Sequence, residues 1–545
     1  MYTPDLAPVA DSLAVSSLIA MLPLATVFLL LGALRWKAHW AGLTALLVAV
    51  LVAVFAYQMP IHLTALSATQ GFAFGLFPIM WIVINAIWLY DLTVKSGRFE
   101  DLRLVINRVS DDPRVQAIII AFCFGGLLEA LAGFGAPVAI TGVMLLAVGF
   151  SPMRAATTVL LANTAPVAFG AIAIPIITAG NLTGIDYQSI GAYVGHQTPL
   201  LAFLVPLFLV LLADGKRGLR ETWPIALVIG VTFSVAQWVS ATWISVELTD
   251  IIASLCGLAA AVIMLRFWQP KGGDEARARL RAEDVDNTAP AAATGTLTPA
   301  RTWMALFPYL LVIIVFSVAK LWTPAIKFLA STDVKIPWPG LHGHILGANG
   351  EPVTSTIYTF SWLSSPGTLL LICGVVIAIV YRVSAGDSLG IYGRNLVKMR
   401  FSILTVASVL SLAYVMNQSG QTITIGHWIA GTGAAFAFLS PILGWLGTAV
   451  TGSDTSANAL FATLQQAAAE KAGIDPTLLV AANTSGGVVG KMISPQNLTI
   501  AATAVGLINK ESEIFRKVIW WSLGLLAAMC LIVGLQSTVL SWMLP

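Results

Sequence analysis

Residues 163–175 read Asn163-Thr164-Ala165-Pro166-Val167-Ala168-Phe169-Gly170-Ala171-Ile172-Ala173-Ile174-Pro175, and residues 483–495 read Asn483-Thr484-Ser485-Gly486-Gly487-Val488-Val489-Gly490-Lys491-Met492-Ile493-Ser494-Pro495. Asparagine, threonine, glycine and proline recur at matching places: 483 minus 163, 490 minus 170 and 495 minus 175 all equal 320. Further pairs extend the match in the same order: Ser96-Gly97 with Ser419-Gly420, Gly133 with Gly452, and Gly149-x-x-Pro152 with Gly473-x-x-Pro476. Chance gives one such pair; a collinear series is an internal repeat. Each repeat reads as a crossing, a hairpin, and a second crossing broken around Asn-Thr and the Gly and Pro that follow, because Gly and Pro both interrupt helical backbone.

The solvent of these helices follows from composition. Of 545 residues, 57% are hydrophobic and 10% charged, and mean hydropathy is +0.85. A soluble domain carries roughly 25% charged residues, so a soluble fold and a disordered chain are both excluded. Apolar runs of about 20 residues match a hydrocarbon core of about 30 Å. Full crossings are expected near 12–34, 39–58, 71–91, 157–180, 189–213, 222–246, 248–268, 302–324, 365–383, 400–418, 477–508 and 518–542. Two apolar stretches, 114–150 and 427–471, break in the middle, at Gly133-Phe134-Gly135-Ala136-Pro137 and at Thr451-Gly452-Ser453-Asp454-Thr455-Ser456. Each reads as a hairpin that enters and leaves by one face. The expected fold is an all-α membrane protein of about 12 transmembrane helices plus two re-entrant helical hairpins. The net charge of +3 is small, and no nucleic-acid partner is expected.

Basic residues set the orientation. With strict alternation of the crossings, 24 of the 29 Lys and Arg residues fall on one face, which is then cytoplasmic. Both termini are expected outside. Ser96-Gly97 then lies inside and Ser419-Gly420 outside, so the repeats enter the membrane from opposite sides. Inverted repeats with interrupted helices mark secondary transporters, whose site lies at midplane where the repeats meet. The expected organisation is N-terminal helices over 1–70, repeat 1 over 71–213 and scaffold helices over 214–399. Repeat 2 follows over 400–512, and a C-terminal helix over 513–545. Within the scaffold, 271–301 reads as a flexible cytoplasmic linker and 325–364 as an outer cap. Residues 98–110 suit an amphipathic helix on the inner surface.

Unwound helix ends expose backbone N–H and C=O groups and attract a small anion. Asn163, Thr164 and Gly133 in one half, and Thr455, Ser456, Asn483, Thr484 and Ser485 in the other, are the candidate substrate ligands; the same residues also suit plain helix capping. Charges inside a membrane are costly and point to function. Glu129, Asp454 and Lys491 are such charges. Lys491 either attracts a substrate carboxylate or neutralises Asp454 or Glu129 as a static pair. A proton-coupling role is expected for at least one of the two acids. His196 and His427 are weaker candidates. Cys123, Cys256, Cys373 and Cys530 lie in apolar stretches without metal-ligand spacing, and no zinc, redox, P-loop or catalytic-triad pattern occurs. Neither an enzyme nor a cofactor is expected.

Several strings resemble the bacterial L-lactate permeases: Gly133-Phe134-Gly135-Ala136-Pro137-Val138-Ala139-Ile140, Asn163 through Gly170, Thr451-Gly452-Ser453-Asp454-Thr455-Ser456-Ala457-Asn458-Ala459-Leu460-Phe461, and Gly490-Lys491-Met492-Ile493-Ser494-Pro495-Gln496. The resemblance covers nearly the whole chain and departs at Ala130-Leu131, where that pattern has Gly-Ala. It implies a bacterial cytoplasmic-membrane symporter that takes up L-lactate with a proton, often accepting D-lactate and glycolate. Partners are then L-lactate, protons and membrane lipid, with monomer and homodimer both open. The layout also resembles the ion transporter superfamily of elevator carriers, in which hairpins and broken crossings move against scaffold helices such as 222–268 and 302–383. Sodium-coupled carriage of another small carboxylate is the alternative, since Asn, Thr and backbone carbonyls also suit Na⁺.

Overall fold

The computed structural model describes residues 1–131, 133, 135–282, 298–347, 352–507 and 510–545. It is built almost wholly of helices, the form that satisfies every backbone polar group within its own segment and so tolerates lipid. Among the described residues ten stretches are long and apolar enough to cross a membrane, or eleven counting one bent pair, Pro152–Ala162 with Val167–Thr183. The chain is an integral multi-pass membrane protein. A two-stranded antiparallel ribbon, Val334–Pro337 with Ile357–Phe360, lies in the expected cap and departs from an all-α fold.

The two halves run through the same series of elements. A 35-residue stretch, Ile61–Lys95 in one half and Ala385–Ser419 in the other, ends just before a left-handed glycine, Gly97 (φ 74°) or Gly420 (φ 92°). A short helix follows, Arg98–Asn107 or Gln421–Ile429. Next comes a helix–tip–helix pair: Pro113–Leu131 with Ala136–Val148, then Phe436–Thr451 with Asp454–Ala472. Gly149 and Gly473 close these pairs in the left-handed region, where a side chain is disfavoured. Pro152 and Pro476 open the next helices, at the position where a missing N–H costs nothing.

Several expected boundaries are corrected. The crossing expected at 71–91 lies within Ile61–Lys95, which is interrupted at Phe77 (φ −137°), and that expected at 400–418 is the second half of the continuous helix Ala385–Ser419. The first halves of these two stretches carry Thr64, Ser67 and Gln70, or Asp387, Arg394 and Lys398, which mask the helix from a hydropathy reading. The crossings expected at 189–213 and 222–246, by contrast, are kept apart where expected, by non-helical backbone at Asp214 and Gly215 within the run Tyr187–Ile244. Pro366–Val380, expected as 365–383, has 15 residues, about 22 Å of helix. The second hairpin begins at Phe436 rather than 427, because Gly433 (φ 60°) separates it from the helix before. Part of the expected linker is ordered: Gly273–Ala282 is a helix with Ala276 and Leu280 buried and Arg279 2.7 Å from Asp214. Residues 283–297 of that linker, and Phe134 of the first tip, lie outside the described residues.

Packing groups these elements. The first hairpin packs on the helices Val205–Val239 and Thr249–Phe267. The Phe122 and Phe233 rings are 4.5 Å apart, and a Cβ on Gly126 would meet Ser254 Oγ at 2.6 Å. At its foot the fully buried Arg114 binds Asp112, Asp214 and Glu221. Helices 222–268, expected in a scaffold apart from the hairpins, therefore sit on hairpin 1. In the other group, Ile61–Lys95, Pro366–Val380 and Ala385–Ser419 pack together, with Gly367 against Ile82, Gly374 against Trp88 and Gly71 against Leu410.

Candidate functional site

The two hairpin tips and the two broken crossings converge on one place, and each break has a local cause. Gly133 (φ 48°) and Gly135 (φ 84°) turn the first tip, and Gly452 (φ 77°) turns the second. Ser453 then caps the following helix, its Oγ accepting from Ser456 N at 3.3 Å, which puts Asp454 at the helix N-terminus, where negative charge is favoured. In the first crossing the helix stops at Asn163, and Ala171, Ile172 and Ala173 are all left-handed (φ 46°, 59° and 56°). Such a run in residues with a Cβ is strained, and strain of this kind concentrates at functional sites. The two parts are bent by 63°. In the second crossing the helix runs unbroken from Pro476 to Gly490, turns tightly over Lys491–Ile493 and restarts at Pro495 under a Ser494 cap. Asn483-Thr484 is thus helical, and the break expected around this pair and the Gly490 and Pro495 that follow falls at its Gly–Pro end, over 491–494. Displaced by 320, it coincides with the left-handed run 171–173, so the element common to both repeats is the turn between Gly and Pro.

Glu129, Gly133, Ala171, Asp454, Thr455 and Lys491 line a cavity of about 40 Å³ at this junction, with room for a few water molecules. Lys491 Nζ lies 2.6 Å from Glu129 Oε1, with side chains 8% and 3% exposed. Asn163 Nδ2 donates to Glu129 Oε2 at 2.9 Å. Lys491 pairs with Glu129 rather than with Asp454. Asp454, equally buried, accepts only from Thr448 Oγ1, at 3.3 Å to Oδ1, and its Oδ2 has no partner among the described residues. Glycine makes room for both acids: a Cβ on Gly170 would stand 2.9 Å from Glu129 Oε1, and one on Gly487 1.9 Å from Asp454 Oδ1.

The other candidates lie behind the cavity wall. Asn483 Nδ2 donates to Asn458 Oδ1 (2.9 Å), and Asn458 Nδ2 donates to Thr484 Oγ1 (2.8 Å) and Pro175 O (3.2 Å). Gln465 Nε2 reaches Asn483 Oδ1 (3.2 Å), and Ser485 Oγ donates to Gln197 Oε1 (2.6 Å). This buried amide network ties the second crossing to the first, and sequence reasoning missed Asn458, Gln465 and Gln197 in it. Asn458 was visible inside the Asp454 motif; the two glutamines carry no sequence signal beyond an apolar setting. Thr164 Oγ1 bonds back to Leu161 O (2.7 Å), and Ser456 serves its cap. His196 accepts from Trp238 Nε1 at 2.9 Å while its Nδ1 sits 2.7 Å from Ala192 O, two contacts that fix the ring.

A family model described as L-lactate permease matches residues 16–540. The chain belongs to the L-lactate permease family. It is 41% identical to the L-lactate permease of Bacillus subtilis (strain 168), covering 100% of both chains. It is 40% identical to glycolate permease GlcA of Escherichia coli (strain K12), covering 100% of this chain and 99% of that one. Among solved structures, the YdaH transporter of Alcanivorax borkumensis superposes with TM-score 0.50 at 14% identity, covering 88% of this chain and 89% of that one. At that identity the likeness concerns the fold alone. In this L-lactate permease family member, then, a buried ion pair and an acid with one oxygen unpartnered among the described residues face one small cavity between the two hairpin tips.

Proposed function

We propose that this permease is a secondary active transporter that imports L-lactate, and with it D-lactate and glycolate, by proton symport across a bacterial cytoplasmic membrane. The observation that carries the reading is the Lys491–Glu129 pair on the cavity wall. A substrate carboxylate that takes Lys491 displaces the Glu129 carboxylate. An isolated buried carboxylate costs several kcal/mol, so Glu129 then needs a proton. Anion and proton bind together, and neither crosses alone. Asp454, with one oxygen unpartnered among the described residues beside the same cavity, takes up that proton and passes it to Glu129, so one proton crosses with each anion. The names of the relatives, lactate and glycolate permeases, suit the charge of this site.

Around it we place a twelve-crossing inverted repeat with both termini outside and with re-entrant hairpins. The hairpins, the broken crossings and helices 205–267 move together as an elevator against the remaining helices. Purified protein in liposomes, given labelled lactate and a pH or a Na⁺ gradient separately, tests the coupling ion. The pH gradient alone should drive accumulation; accumulation under the Na⁺ gradient alone would establish the sodium alternative. Asp454→Asn should lose accumulation driven by the pH gradient while still exchanging lactate at equal concentrations. Full accumulation by that variant would take Asp454 out of the coupling.

A further inference from the structure

A third buried acid lies outside the cavity. Asp250, in the first turn of Thr249–Phe267, has no exposed surface. Its Oδ1 accepts from Gln237 Nε2 at 3.0 Å, and the same amide donates to Ala165 O at 3.1 Å. That carbonyl belongs to the unwound segment that also carries Asn163, the partner of Glu129. Asp250 Oδ2, Gln237 Oε1, Ser254 Oγ and Ser234 Oγ, all buried, have no partner among the described residues. Ser254 is one turn after Asp250 and Ser234 one turn before Gln237, so these groups share the seam between two packed helices. Ser234 also lies on the wall of a cavity of about 840 Å³ with His196 and Trp238.

Charge decides what Asp250 holds. Among the described residues no cation pairs with it, and the charge set against it is the Glu129 carboxylate, already matched by Lys491. A helix N-terminus favours a carboxylate only modestly. Leaving that carboxylate buried and unpaired costs far more. The dipole loses, and a buried acid so placed is suited to hold a proton. We infer that Asp250 is a second proton-binding site of the transport cycle, linked through Gln237 and the Ala165 carbonyl to the broken crossing that bears the substrate site. An O–H bond forms at Asp250 when a proton arrives from outside, and the same bond breaks on release inside.

The inference rests on the proton-symport reading and adds a charge to it. Lactate with one proton is electroneutral; lactate with two carries one net positive charge inward. Liposomes holding the wild-type permease, with no pH gradient and a valinomycin potassium-diffusion potential negative inside, should therefore accumulate lactate. Asp250→Asn should lose that response and halve the protons taken up per lactate, recorded with an entrapped pH dye. Potential-driven accumulation that survives in Asp250→Asn overturns the inference. So does a wild-type protein driven by the pH gradient yet blind to the potential, a result that needs no variant to fold and leaves the symport reading standing. A wild-type protein that ignores the pH gradient sinks the symport reading itself.

Discussion

Lys491 and Glu129 satisfy each other so closely, at 2.6 Å with both side chains buried, that binding and static bridging make opposite demands on one variant pair. Removing one partner of a buried ion pair costs about 3–5 kcal/mol, whereas removing both is often neutral. Lys491→Ala should therefore lower thermal stability in detergent and weaken lactate binding by tenfold or more. Adding Glu129→Gln should restore the melting temperature but not the affinity; recovery of both would make the pair a bridge and nothing else. The two asparagines that open the matched strings at 163 and 483 should likewise part company. Asn163→Ala leaves Glu129 Oε2 without its donor, a loss of about 1–3 kcal/mol felt at the site, so lactate affinity should fall. Asn483→Ala opens an amide network behind the wall, so the melting temperature should fall while affinity changes less; equal losses of affinity would put both in contact with substrate. Sequence alone named Glu129, Asp454 and Lys491, because a charge in an apolar run stands out. It passed over Asp250, the second residue of its helix.

The second broken crossing shows why elements were harder to place than residues. Gly486 and Gly487 sit mid-helix without breaking it, because each faces a close neighbour: a Cβ on Gly486 would fall 2.0 Å from Pro441 O and one on Gly487 1.9 Å from Asp454 Oδ1, and across the same contact one on Gly444 would fall 1.8 Å from Asn483 O. Small residues let membrane helices approach this closely, and in a sequence they look the same as the glycines that unwind a crossing. The left-handed run 171–173 is illegible for a related reason, since Ala-Ile-Ala is an ordinary helical string until Pro175 and the acid beside it shape the turn. The two glycine roles predict different outcomes for one substitution. Gly444→Ala should cost at least about 1–3 kcal/mol by overpacking and lower the melting temperature of the second hairpin's packing. Gly524→Ala, where nothing stands within 4 Å of the added carbon in a regular helix, should leave it unchanged or raise it slightly, Ala being favoured over Gly by about 0.5–1 kcal/mol. Equal effects at 444 and 524 would remove the close approach as the reason for Gly444.

At the scale of the molecule, the recurrence of a 35-residue stretch, left-handed glycine, short helix, hairpin and broken crossing follows the repeat that the Asn-Thr strings announced. Its meaning for transport depends on which way up the two copies lie. Opposed copies bring hairpin tips in from both faces, so that one tip can open while the other stays shut; parallel copies would leave both tips on one side and no route for alternate opening. The loops that close the hairpins report the difference. Ser151 precedes the helix at Pro152 and Lys471 ends the second hairpin, and neither side chain is fully buried. With the four native cysteines replaced, Ser151→Cys should react with a membrane-impermeant maleimide only in inside-out vesicles. Lys471→Cys should react in intact cells. Transport by both variants certifies the fold. Labelling of the two from the same side would mean that the repeats run parallel, and a carboxylate site shared between opposed tips could not exist.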